Sequence, residues 1–188
     1  MLWLILYNQM KYQDIIDKYY ESGSPLREIL IRHSRSVADK ALAIARAKHL
    51  NLDYRDVETA AMLHDIGIYL TDAPGIQCFG KEPYLRHGVL GAELLRREGA
   101  PDWIARVAER HTGAGLTAEE NKRQGLPLPT DRDLVPETLL ERLICYADKF
   151  FSKSGDMKEK PLERVRASMA KFGPESLKRF EELNREFS

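Results

Sequence analysis

Histidines and carboxylates recur in this chain at positions whose pattern asks for core. In "AAMLHDIGI", residues 60–68, an apolar run carries His64 and Asp65 side by side. His33 interrupts a stripe of Leu30, Val37, Ala41 and Ile44, His87 shares a face with Leu90, Gly91 and Leu94, and His111 follows Ile104, Val107 and Ala108. Asp148 stacks with Leu140 and Ile144 at steps of four. Steps of three and four put such residues on one side of a helix. A single buried imidazole is ordinarily a packed side chain that caps a carbonyl. Repetition on separate helices asks for a common cause. A carboxylate buried without a donor or a cation is strongly disfavoured, and imidazole nitrogen is the commonest neutral metal ligand. Inward-facing groups from several helices of a bundle can converge on one cation. Successive helix positions diverge by roughly 100°, so His64 and Asp65 can serve two neighbouring cations.

The elements that must position these groups are helical almost throughout. "DIIDKYY" precedes the turn Ser22-Gly23-Ser24-Pro25, which opens the long amphipathic run holding His33. A second helix is predicted from an Asp53 N-cap through Val57 and Ala61 to His64, with Gly67 as a left-handed C-cap. The segment "TDAPGIQCFGKEPY" reads as loop, and no strand is predicted there or elsewhere. Helices bearing His87 and His111 follow, the latter stopped by "TGAG". Residues 116–136 read as a long irregular segment, of the kind often used as a lid, with a short helix capped by Thr117 and Glu120. "PETLLERLICYADKFF" forms a further core helix. Two amphipathic helices divided by Gly173-Pro174 complete the chain. The domain division expected is an extension with the first helix over 1–24, a main domain over 25–152 and a helical pair over 153–188.

The ligand-like positions carry a resemblance to the HD-domain metal-dependent phosphohydrolase superfamily, through His33, the His64-Asp65 doublet of "HDIG" and the distal Asp148 in "YADKF". His87 in "RHGVLGAELL" and His111 in "ERHTGAG" match the extra pair of its binuclear-metal subset, which includes cyclic-dinucleotide phosphodiesterases and hydrolases that split diadenosine tetraphosphate symmetrically. The resemblance implies an all-α fold, the HD-domain helical bundle. It also implies a first metal held by His33, His64, Asp65 and Asp148, and a second held by His87, His111 and a bridging Asp65. Nitrogen and oxygen donors leave iron, manganese and zinc open, at one or two divalent ions per chain. The implied activity is hydrolysis of a phosphate ester or anhydride of a nucleotide-like small molecule by a metal-activated water, with Asp65 and His64 at its centre. Ile68 stands where the cyclic-dinucleotide enzymes carry lysine, and no GYP motif follows, which ranks that substrate class low. A non-catalytic metal- and nucleotide-binding sensor and a di-iron oxygenase of the same fold are the alternatives.

Phosphate needs donors beside the metals, and Lys149, Arg86, Arg110 and Thr112 neighbour the ligand positions. Charges beside buried helix positions usually face solvent, and Lys149 is the strongest of the four. Asp72 and Glu120 lie in segments able to reach the cleft, although surface solvation suits them better. His49, off the stripe near a helix C-terminus, is left out of the site. Cys145 reads as packing, and Cys78 and Cys145 form no CxxC or disulfide framework. The 188 residues suit one domain with a small appendage, and 29 basic against 29 acidic residues argue against a general nucleic-acid surface. The seven-residue apolar run opening "MLWLILYNQM" is too short for a span or signal peptide. It is expected to be a docking segment in a homodimer, a segment packed within the chain, or a start-codon extension ahead of Met10. A reducing cytoplasm is the default location.

Overall fold

The computed structural model describes residues 11–188, so the apolar opening segment and its docking alternatives lie outside the described residues. Among the described residues nine α-helices carry the fold: α1 Tyr12–Tyr19, α2 Pro25–Ala47, α3 Tyr54–Leu63, α4 His87–Arg97, α5 Asp102–Arg110, α6 Ala118–Gln124, α7 Leu139–Asp148, α8 Leu162–Ala170 and α9 Pro174–Phe187. The architecture is an all-α bundle, as the periodicity predicts. None of these helices is long and apolar enough to cross a membrane.

Local chemistry sets the helix starts. The Ser24 side chain accepts from the Arg27 amide ahead of Pro25, and the Asp53 carboxylate accepts from the Arg55 amide. Thr117 with Glu120, and Thr138 with Glu141, form reciprocal capping boxes at α6 and α7. Two expectations are corrected. Gly67 is not a left-handed cap: its φ is −87°, and α3 already ends at Leu63. A methyl group at Gly67 would overlap the His87 carbonyl oxygen and the Gly91 amide nitrogen, so glycine is needed there for close approach. The loop after α3 also holds three short strands, β1 Thr71–Ala73, β2 Cys78–Phe79 and β3 Glu82–Pro83. They form a sheet in the order β2-β1-β3, antiparallel on one side and parallel on the other, with Asp72 opposite both Phe79 and Pro83. Strands of two or three residues show no alternation that a sequence pattern could register.

Two large apolar clusters fill the bundle, beside a small third one of Val89, Leu116, Leu128 and Leu134. One gathers Val37, Ala41, Val57, Ala61, Leu143 and Phe180, and the other gathers Ile16, Leu30, Leu63, Ile66, Leu94 and Ile104. His33 lies along α2 between Leu30 of one cluster and Val37 of the other. The polar groups therefore occupy the seam between two dry cores. Small residues let backbones meet across it, since a methyl at Gly88 of α4 would overlap the Ala108 carbonyl oxygen of α5.

Gly67→Ala should be destabilising by overpacking, about 1–3 kcal/mol or more, which lowers the melting temperature by roughly 3–10 °C in a domain of this size. Gly75→Ala meets nothing within 4 Å and serves as the control, with a melting temperature expected within about 2 °C of wild type in the same calorimetric scan.

Candidate metal centre

The predicted ligand positions meet at helix ends. His64 and His111 are the C-caps of α3 and α5, His87 begins α4, and Asp148 ends α7, while His33 projects from within α2. All six side chains, with Asp65, are buried. Possible ligand atoms of His33, His64, Asp65 and Asp148 lie within 4.8 Å of one another, and so do those of Asp65, His87 and His111. Asp65 belongs to both groups. Its Oδ2 is 3.1 Å from His33 Nε2 and 3.2 Å from His64 Nε2, and its Oδ1 is 3.4 Å from both His87 Nε2 and His111 Nε2. Asp148 Oδ1 stands 3.0 Å from His33 Nε2 and 3.5 Å from His64 Nε2.

Each helix end also orients its ring. His64 Nδ1 donates to the Ala61 carbonyl at 2.6 Å, His87 Nδ1 to Tyr84 at 2.7 Å, and His111 Nδ1 to Ala108 at 2.7 Å. A proton on each Nδ1 leaves each Nε2 lone pair aimed at the centre, the tautomer that metal ligation requires. The Nε2 atoms of His87 and His111 then face each other at 3.0 Å. Two lone pairs at that distance repel unless a positive charge lies beside them. His64 Nε2, His33 Nδ1 and Asp65 Oδ1 make no hydrogen bond among the described residues. Buried polar atoms rarely go unsatisfied. This donor set, nitrogen and carboxylate around a shared centre, fits divalent cations.

The titration of the cluster shows the same demand for positive charge. Burial opposes a charged imidazole at His64, but the Asp65 and Asp148 carboxylates outweigh it and raise the group to about 9. At His87, burial and the neighbouring His111 push the imidazole down to about 3. Burial works against ionised Asp65, yet His64 and Lys153 hold its carboxyl well below the usual range.

Lys153 is the group that sequence reasoning missed. Its ammonium, on a side chain 12% exposed, lies 2.7 Å from Asp65 Oδ2 and 5.8 Å from the Tyr84 ring centroid. It comes from the irregular segment after α7, where no periodicity marks an inward residue. A lysine shortly beyond the distal aspartate was the sole available signal. Lys149, singled out from sequence, is also inside: its Nζ donates to the His111 carbonyl at 2.8 Å and to Asp148 Oδ2 at 2.6 Å. A cavity of about 570 Å³ opens over the cluster, and Thr112, Lys149, Lys153 and Lys160 line it.

Arg86 and Arg110 are not brought there. Arg86 bonds to Glu82 at 2.6 Å, and Arg110 pairs with Glu137 and Glu141 at 2.7 and 3.1 Å, so neighbouring carboxylates direct both away from the cavity. Glu120 is spent on the α6 capping box and on Arg179, and Asp72 is exposed. The Cys145 thiol packs between the His111 and Gly113 carbonyls, and burial pushes it up to about 11, which leaves it unreactive.

Residues 30–152 match the HD domain family, and the chain belongs to it. Similar proteins include a tRNA (cytidine(56)-2'-O)-methyltransferase of Thermoplasma volcanium, 39% identical over 87% of this chain and 42% of the relative. A protein of the same name from Picrophilus torridus is 37% identical over 66% of this chain and 32% of its own length. The chain thus spans less than half of either relative. Among solved structures, the HD domain of the Listeria monocytogenes phosphodiesterase PgpH superposes with a TM-score of 0.52 at 18% identity, covering 90% of this chain and 94% of that one. The same domain in complex with cyclic-di-AMP gives a TM-score of 0.53 at 17% identity, covering 90% and 92%. At such identities the likeness shows the fold.

Elemental analysis of purified protein should find up to two transition-metal ions per chain, and His87→Ala or His111→Ala should remove about one; unchanged occupancy would rule out a second centre. Lys153→Met deprives Asp65 of its nearest cation. The rise in melting temperature on adding metal to chelated protein should therefore be larger in this variant than in wild type, as ligand linkage requires.

Proposed function

We propose that the protein is a metal-dependent phosphohydrolase acting on a phosphate ester or anhydride of a nucleotide-like small molecule. The observation that carries this reading is the position of Asp65, a buried carboxylate whose two oxygens face two separate sets of histidine nitrogens. Divalent cations held by His33, His64, Asp65 and Asp148, and by Asp65, His87 and His111, would supply Lewis acidity, lowering the pKa of water and offsetting charge on the phosphoryl oxygens.

The chain's own residues do the rest. Bonds from Nδ1 to backbone carbonyls hold three rings in one orientation, so no reorganisation is needed as charge develops. Lys149 and Lys153 place ammonium groups beside Asp148 and Asp65 and offset their charge, which lowers the repulsion a phosphate would meet, and Lys160 adds a cation to the cavity lining. Leu85, Leu116 and Met169 line the same cavity and limit water around the reacting group.

A nucleotide bound in the PgpH HD domain supports the nucleotide class for a bundle of this fold. Ile68, in place of the lysine after "HDIG", weighs against a cyclic dinucleotide. The methyltransferase name stays with the archaeal relatives, because more than half of each lies outside the match.

The test is turnover by metal-reconstituted protein across a panel of nucleotides, read as phosphate or nucleotide release. Asp65→Asn should lower kcat by at least ~100-fold, since several kcal/mol of charge stabilisation are lost, while the far-UV spectrum is retained. Nucleotide binding without turnover under every metal would favour a sensor, and oxygen consumption without phosphate release would favour a di-iron oxygenase.

A further inference from the structure

Part of the cavity wall comes from outside the stretch matched by the HD family: Met169 of α8, Phe172 of the turn after it and Ser176 of α9. Phe172 is a large apolar side chain left 50% exposed at this wall. Ser176 is 1% exposed, and its Oγ makes no hydrogen bond among the described residues. An alanine would fill the same space without stranding a hydroxyl.

Ser176 lies in the first turn of α9, a helix of 14 residues whose N-cap, Gly173, supplies no side-chain cap. Gly173 has φ 107°, a conformation that favours glycine. The first amides of such a helix lack intrahelical partners and favour acceptors. The wall is rigid. Arg179 donates to the Ala114 and Gly115 carbonyls at 3.2 and 2.8 Å, and Tyr146 Oη donates to Asn184 Oδ1 at 2.9 Å.

From this juxtaposition we infer that the C-terminal pair recognises a nucleobase, with Phe172 stacking on its face and Ser176 bonding its edge, so that the substrate class is a base-bearing nucleotide. The inference rests on the phosphohydrolase reading for where the phosphate lies. A flat heteroaromatic ring matches both observations: its face suits an exposed aromatic side chain, and its carbonyl or ring nitrogen accepts from a buried hydroxyl. A second phosphate matches less well, because Met169 and Leu116 would desolvate it and the Lys149 and Lys153 ammonium groups are already paired with Asp148 and Asp65, which leaves Lys160 among the cavity's lysines to meet it. The cavity of about 570 Å³ is of the size that encloses a small organic ligand.

The experiment titrates metal-loaded protein calorimetrically with the four nucleoside 5′-monophosphates and with ribose 5-phosphate, which shares their sugar and phosphate. At least one nucleotide should bind roughly 10-fold tighter than ribose 5-phosphate, and Phe172→Ala or Phe172→Leu should remove most of that advantage. Ser176→Ala should weaken the same nucleotide roughly 5-fold, with ribose 5-phosphate unchanged in every variant. Phe172 is half exposed and Ser176→Ala removes one atom, so thermal melts should match wild type. Equal affinity for base-bearing and base-free ligands, or variants that bind nucleotides like wild type, would overturn the inference. Turnover separates the two readings. Nucleotide hydrolysis with KM unaltered in the variants removes the base wall and leaves the hydrolase, whereas base-dependent binding with no hydrolysis under any metal does the reverse.

Discussion

Charge buried without compensation is the constraint around which this fold is arranged. Two carboxylates, Asp65 and Asp148, sit in a seam between two apolar clusters, with imidazoles as their main company. Such groups are tolerated only where positive charge reaches them. Protons on histidine and the ammonium groups of Lys149 and Lys153 meet part of that need, and the unsatisfied His64 Nε2 and Asp65 Oδ1 belong to the shared ligand cluster. Helix termini are well suited to hold it. The last carbonyls of α3 and α5 have no intrahelical partner, and His64 and His111 donate to carbonyls of those turns. One contact thereby satisfies an orphan acceptor and fixes a ring.

Close backbone approach converts that local economy into a centre. Gly67 lets the loop after α3 lie against the start of α4, and Gly88 lets α4 lie against α5, which carries His87 and His111 to within 3.0 Å. Alanines on the facing sides of α2 and α3, among them Ala38, Ala41, Ala60 and Ala61, keep those helices close as well. Interiors packed this densely resist small displacements.

The sequence makes the centre more legible than its surroundings. Polar residues on apolar stripes stand out because helical periodicity supplies a background, and the six positions read that way are buried together. Arg86 and Arg110 had no comparable signal. Adjacency to a ligand along the chain says little about direction: Glu82, four residues before Arg86, and Glu137 and Glu141, far along the chain from Arg110, decide where those guanidinium groups go. Lys153 lies in an irregular stretch without a period, and the strands at 71–83 are too short to have one. Gly67 was legible as a special position, but the reason lies in a contact with α4, twenty residues onward, that no local rule contains.

Arg179 links the outermost helix to the turn that follows His111, through the Ala114 and Gly115 carbonyls, and reaches Glu120 of α6 as well. During synthesis this strut emerges after every element it braces. The turn beside His111 is held first by Lys149 and Cys145 at the end of α7, and Arg179 adds a second tether from a later element.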